Sequence, residues 1–204
     1  MKALLIVDVQ NDFLPGGALE VPRGNAVLSI INNIQQYFRL IVATRDWHPV
    51  NHASFASNNY GKKIGEEIRL HGQIQILKPE NCIQGSPGAE ISPLLNQALI
   101  NNVIFKGSDP DIDSYSAFYD NGHLKETGLH AYLKRNGIST IYVSGLGADY
   151  SIYNTIRDGI LLGYDTFLVK DAICEDNLFA NNANEVLTEL IGLGAKIITS
   201  KDLA

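Results

Sequence analysis

Asp8, Lys106 and Ser151 are a carboxylate, an ammonium and a hydroxyl, residue types that hydrolytic sites combine, and each falls at or just past a strand-like run. Asp8 ends Ile6-Val7-Asp8, and Lys106 ends Ile104-Phe105-Lys106. Ser151 opens a helix after the strand-like run through Val143, by way of Gly145-Leu146-Gly147. In one site, the carboxylate would move protons, the ammonium would hold it ionised, and the hydroxyl would attack. Each residue also has a plainer reading. Asp8 could cap a helix or simply pair with Lys106, and Lys106 could be a solvated strand end. The glycine turn could be an ordinary strand–helix junction with Asp149 or Ser151 as its N-cap. The polar turn Asp8-Val9-Gln10-Asn11-Asp12-Phe13 favours a site role for Asp8. Gly145 and Gly147 let the backbone approach a ligand, and amides at a helix start can hold an oxyanion.

Asp46-Trp47-His48, with His52 nearby, is a partial metal-ligand pattern. A carboxylate and an imidazole two residues apart on an extended loop can reach one ion, but two ligands are too few. His71 lies in a polar, glycine-bearing stretch and is a poor candidate.

The elements that must position these residues follow from hydrophobic periodicity. Runs 3–9, 39–44, 103–106, 140–144, 166–170 and 196–199 predict six strands. Val27, Ile30, Ile31, Ile34 and Phe38 form a helical stripe, and further helices are predicted over 125–136, 151–162 and 184–193. Ser92-Pro93 predicts another short helix, by a cap and a first-turn proline. Gly137 and Gly163 are placed as helix stops. Buried strands alternating with helices predict one α/β domain over 1–204, a doubly wound six-stranded parallel sheet. Ligands of such sheets sit beyond the carboxyl ends of the strands, where strand order reverses, and Asp8, Asp46, Lys106 and Ser151 all fall there. The stretch 45–90, rich in Asn, Gly, Pro and His, is predicted irregular, and its length marks it as functional.

A chain of 204 residues with 45% hydrophobic and 19% charged residues suits one globular core. Its net charge of −6, with no basic run, argues against nucleic acid as the main partner. No stretch approaches the roughly 20 apolar residues of a membrane span. Two cysteines, Cys82 and Cys174, make no disulfide framework, and the expected location is the cytosol.

With these residues in view, the chain resembles the nicotinamidase/pyrazinamidase branch of the isochorismatase-like hydrolases nearly end to end. The resemblance rests on IVDVQNDFLPGG at 6–17, TRDWHPVNHASFA at 44–56 and CIQGSPGAE at 82–90. It also rests on FKG with DSYSAFYDNG within 105–122, and on the segment Val143–Ser151. It implies hydrolysis of nicotinamide, or a similar small amide, to the acid and ammonia. Asp8 would carry protons, Lys106 would support the charges, and the nucleophile would stand at 151. The amides of Gly147 and Ser151 would hold the oxyanion, after a cis bond at Leu146–Gly147. A divalent metal, zinc or iron, would sit on Asp46, His48 and residue 81, with Phe13, Trp47, Lys78 and Tyr115 around the substrate. Self-association is common in this fold.

This chain departs from the family pattern at four places. Serine replaces the nucleophilic cysteine at 151, and Asn81 replaces the usual histidine ligand. Lys78 stands where an aromatic residue flanks the ring, and Gly147-Ala148 replaces Ala-Thr. A hydroxyl ionises far less readily than a thiol, and asparagine is a weak zinc ligand. The expectation is a nicotinamidase-type scaffold with severely impaired turnover and weak metal occupancy. The alternatives are a non-catalytic binder of a small ligand or protein partner, and a related hydrolase with a changed substrate. Cys82 and Cys174 are expected to pack rather than react.

Overall fold

The computed structural model describes residues 1–174 and 183–203. In chain order it contains β1 (Lys2–Val7), α1 (Leu28–Ile34), β2 (Ile41–Asp46), β3 (Glu67–Leu70) and β4 (Gln73–Ile76). There follow β5 (Asn102–Lys106), α2 (Leu129–Arg135), β6 (Thr140–Gly145), α3 (Tyr153–Leu161), β7 (Asp165–Ile173), α4 (Ala183–Leu193) and β8 (Lys196–Ile198). Six strands form one sheet in the order β5-β2-β1-β6-β7-β8, all parallel. Strand order therefore reverses between β1 and β6, as expected for a doubly wound sheet.

The strands read as continuous apolar runs because both faces of the sheet are covered. Along β1, Ala3, Leu5 and Val7 face a core with Leu129 and Leu133 of α2, Ile156 of α3 and Leu190 of α4. Leu4 and Ile6 face the other core, with Leu28, Ile31 and Ile34 of α1. The twofold alternation of strand side chains thus supplies two layers from one short sequence.

Three expected helices differ. No α-helix follows Pro93. Ser92 Oγ accepts from Leu94 N–H, but the segment is then tied to α1, where Asn32 donates to the Leu94 carbonyl and accepts from Asn96 N–H. α2 starts at Leu129 rather than Lys125, because the Asp120 carboxylate collects the N–H groups of Gly122, Leu124 and Lys125. Gly137 does end α2, at φ +65°. The helix expected from Ser151 begins with a wider π-type turn over Ala148–Ile152 before α3.

The stretch 45–90 is not wholly irregular. β3 and β4 form an antiparallel hairpin with Leu70 opposite Gln73. Its two-residue turn, His71-Gly72, has φ +47° and +81°, the conformation a tight hairpin requires. β4 runs directly into Leu77 and Lys78, and Lys78 is fixed by a bridge to the loop after β2, donating its N–H to the Ser54 carbonyl and accepting from Ala56 N–H.

Candidate active site

Asp46 of β2 lies directly opposite Lys106 of β5. Asp8 follows β1 and Ser151 follows β6, so the sheet alone gathers four polar residues at its carboxyl edge. Asp8 has φ +53°, a left-handed conformation that aspartate tolerates better than most residues. It is fixed by Thr44, whose Oγ1 donates to Asp8 Oδ1 at 2.5 Å and accepts from Asp8 N–H at 3.1 Å. Gln10 ties the strand ends together. Its side chain accepts from Asp46 N–H at 2.7 Å and donates to the Asp46 and Ala89 carbonyls.

Lys106 is the hub. Its fully buried ammonium lies 2.9 Å from Asp8 Oδ2, bonds Asp46 Oδ1, and donates to the Ser114 carbonyl at 3.1 Å. It also reaches Ser151 Oγ at 3.4 Å. Burial alone would lower the lysine pKa, but Asp46 and Asp8 together raise it above its usual value. Burial raises the Asp8 carboxyl against the opposing pull of Lys106. Burial also works to raise Asp46, yet Lys106, His48 and Lys78 hold it below its usual value. The three residues read as catalytic are therefore brought together.

The oxyanion amides differ from expectation. The peptide bond at Leu146–Gly147 is trans, and positive φ at Gly145 and Gly147, +127° and +68°, makes the turn instead. Ser151 N–H donates to the Gly147 carbonyl at 2.8 Å, so that amide is spent on the turn.

A cavity of about 300 Å³ opens in front of Ser151 and Gly147. Phe13, Lys78 and Tyr115 line it as expected; Leu19, Val21 and Tyr150 were not anticipated. The rings of Tyr115 and Tyr150 lie 4.9 Å apart. Trp47 does not line the cavity. Successive residues of an extended chain point to opposite sides, so Asp46 and His48 turn inward while Trp47 packs on Phe105 and under the Arg45 guanidinium.

The expected metal ligands are not assembled as a set. Asp46 is bonded to Lys106. Asn81 is buried with no hydrogen bond to either side-chain polar atom, while its backbone carbonyl accepts from His48 Nδ1–H at 2.9 Å. Instead, donor atoms of His48, His52 and Asp113 lie within 4.8 Å of one another. Two imidazoles and a carboxylate are donor types suited to a divalent ion such as zinc.

As these side chains stand, the cluster does not fit such an ion. His52 Nδ1 accepts from Ser54 N–H and lies 2.7 Å from Ser54 Oγ, which places the ring proton on Nε2 and leaves no free lone pair. Burial pushes His52 down to about 4, so the ring is neutral near pH 7. The Lys78 ammonium lies 2.8 Å from Asp113 Oδ2 and 3.4 Å from His48 Nε2. Burial would raise Asp113, but Lys78 and His48 hold it well below the usual carboxylate range. Burial likewise opposes the charge on Lys78, and Asp113 with Asp46 restores it.

Asp113 and Thr44 were missed as site residues. Asp113 opens the DSYSAFYDNG motif and Thr44 ends the second apolar run, so both had a signal in the sequence. Cys82 and Cys174 are both buried; burial pushes the Cys82 thiol up, away from reactivity, and Cys174 Sγ donates to the Pro22 carbonyl.

The Isochorismatase domain profile matches residues 2–202. The nicotinamidase of Escherichia coli (strain K12) is 38% identical over 205 residues, spanning 98% of this chain and 96% of the relative. The solved structure titled Acinetobacter baumanii nicotinamidase pyrazinamidease has 40% identity and a TM-score of 0.94, covering 100% of this chain and 98% of that one. The pyrazinamidase of Pyrococcus horikoshii, solved in complex with zinc, has 32% identity and a TM-score of 0.78, covering 97% of this chain and 98% of that one.

Proposed function

The chain belongs to the isochorismatase family, and from that premise we propose that it is a nicotinamidase-type amidohydrolase scaffold with severely impaired turnover. The observation that supports the chemistry is the convergence of Asp8, Lys106 and Ser151 behind one largely apolar cavity. A flat aromatic amide such as nicotinamide would lie among Phe13, Tyr115 and Tyr150, with its carbonyl carbon toward Ser151 Oγ.

Hydrolysis needs the Ser151 proton to pass to Asp8 as Oγ attacks the carbonyl carbon. Asp8 would return it to the amide nitrogen as ammonia leaves. Water would then attack the acyl-serine ester, again with Asp8 as base, releasing the acid and restoring Ser151. Lys106 would hold Asp8 ionised through the cycle.

Two features slow the first step. A hydroxyl has a pKa far above the ~8.5 of a thiol, so a carboxylate and an ammonium are weak company for activating it. The Ser151 amide, one of the two expected oxyanion donors, is already engaged. A divalent ion, zinc or iron, is the cofactor of the family reading, and its occupancy here is substoichiometric. Two buried cysteines that form no disulfide with each other suit a reducing compartment, and we assign the chain to the cytosol.

Ammonia release from nicotinamide by the purified chain tests the reading. The expected rate is roughly 10³-fold below that of relatives with cysteine at this position. Turnover at rates ordinary for those relatives would remove the argument from the hydroxyl.

A further inference from the structure

We propose that the Lys78 ammonium is the resident cation of this pocket, occupying the electrostatic role of a divalent metal and excluding one. Lys78 contacts Asp113 Oδ2 at 2.8 Å and His48 Nε2 at 3.4 Å. These two side chains supply two of the three donor atoms in the His48–His52–Asp113 cluster. The third, His52, accepts from Ser54 N–H at Nδ1, and in that tautomer its other ring nitrogen carries the proton.

The imidazole of His48 makes the substitution specific. Its Nδ1–H donates to the Asn81 carbonyl, so Nε2 faces the interior of the cluster. That is the orientation a metal-binding histidine needs. The atom it meets is instead the lysine nitrogen. A divalent ion there would stand within a few ångströms of a fixed unit positive charge in a buried site, where repulsion is strong.

Lys78 also lines the cavity, so a bound molecule meets an N–H donor where a metal would offer a Lewis acid. A pyridine-type nitrogen or a carbonyl can accept that bond at about 2.7–3.2 Å, against roughly 2.0–2.1 Å for nitrogen on zinc. Ligands would then sit shallower than on a metal. That consequence rests on the amide reading above, whereas the exclusion of metal does not.

The test is metal binding, read without turnover. The native chain, purified without chelators, is analysed for bound metals and titrated with zinc against a chromophoric competitor, beside Lys78→Met and Lys78→Arg. The native chain and Lys78→Arg are expected to carry well under one equivalent of metal. Lys78→Met should bind zinc about 100-fold more tightly than native, and zinc should raise its melting temperature alone. A native chain carrying a full equivalent, or a folded Lys78→Met no tighter for zinc than native, overturns the proposal. If Lys78→Met does not fold, the native titration decides: tight zinc binding overturns the proposal, and weak binding shared by Lys78→Arg upholds it. Absence of nicotinamide hydrolysis would sink the amide reading and leave these measurements untouched.

Discussion

The Lys106 ammonium reaches Ser151 Oγ at 3.4 Å, while the carboxylate oxygen it pairs with, Asp8 Oδ2, accepts no hydrogen bond from that hydroxyl. A nucleophile needs an acceptor for its proton, and here its partner is a donor. The arrangement fits a thiolate, which an ammonium stabilises, better than a hydroxyl.

Ser151→Cys is therefore informative. Cysteine removes the ionisation problem, but the committed amide at 151 and the lysine in the pocket remain. The gain in ammonia release from nicotinamide should stay below about tenfold. A rescue of several orders of magnitude would show that Lys78 and Asn81 are harmless to catalysis.

Thr44→Val should destabilise the fold by roughly 1–3 kcal/mol, since Thr44 Oγ1 both donates to the Asp8 carboxylate and accepts from the Asp8 amide in a buried site. Urea denaturation monitored by circular dichroism measures this. An unchanged midpoint would mean that Asp8 is held by Lys106 alone.

Gly145→Ala should be more severe. At φ +127°, a methyl group there overlaps the Val7 carbonyl oxygen, which is rigid backbone of the paired strand. The expected loss is about 3 kcal/mol or more, with low soluble yield. Wild-type melting behaviour in this variant would contradict the close approach of β6 to β1.

His52 gives the chain a pH dependence. Its folded value is about 4 against an ordinary 6.5, with burial as the main cause. The unfolded chain takes up this proton first as pH falls, so stability drops between about 6.5 and 4 and is complete above that window. The contribution is roughly 3 kcal/mol at neutral pH. Chevron or urea midpoints at pH 7 and pH 4.5, with chelator present, should differ by less in His52→Gln than in the native chain. Equal pH responses would remove His52 as the cause.

The sheet was legible because buried parallel strands have to be apolar throughout, and Asp8, Lys106 and Ser151 stand out against such runs. The hairpin was harder to see. Glu67–Leu70 and Gln73–Ile76 alternate around His71-Gly72, but with Ile74 57% exposed there is little apolar contrast to mark them. Helix ends were misread where side chains far away in sequence captured the backbone, as Asn32 does at Leu94 and Asn96. The pairing of Lys78 with Asp113 had no local signature, because two loops must fold before the charges meet.

Among the described residues β3 and β4 pair with each other apart from the six-stranded sheet, and one tie from the hairpin to the site loop is the bond from Gln75 to the Tyr115 hydroxyl, 3.0 Å. Lys78 itself, just past β4, is anchored to the loop after β2: its N–H donates to the Ser54 carbonyl and its carbonyl accepts from Ala56 N–H. The hairpin can therefore drift in length and sequence while both Lys78 and the frame that aligns Asp8, Lys106 and Ser151 stay put.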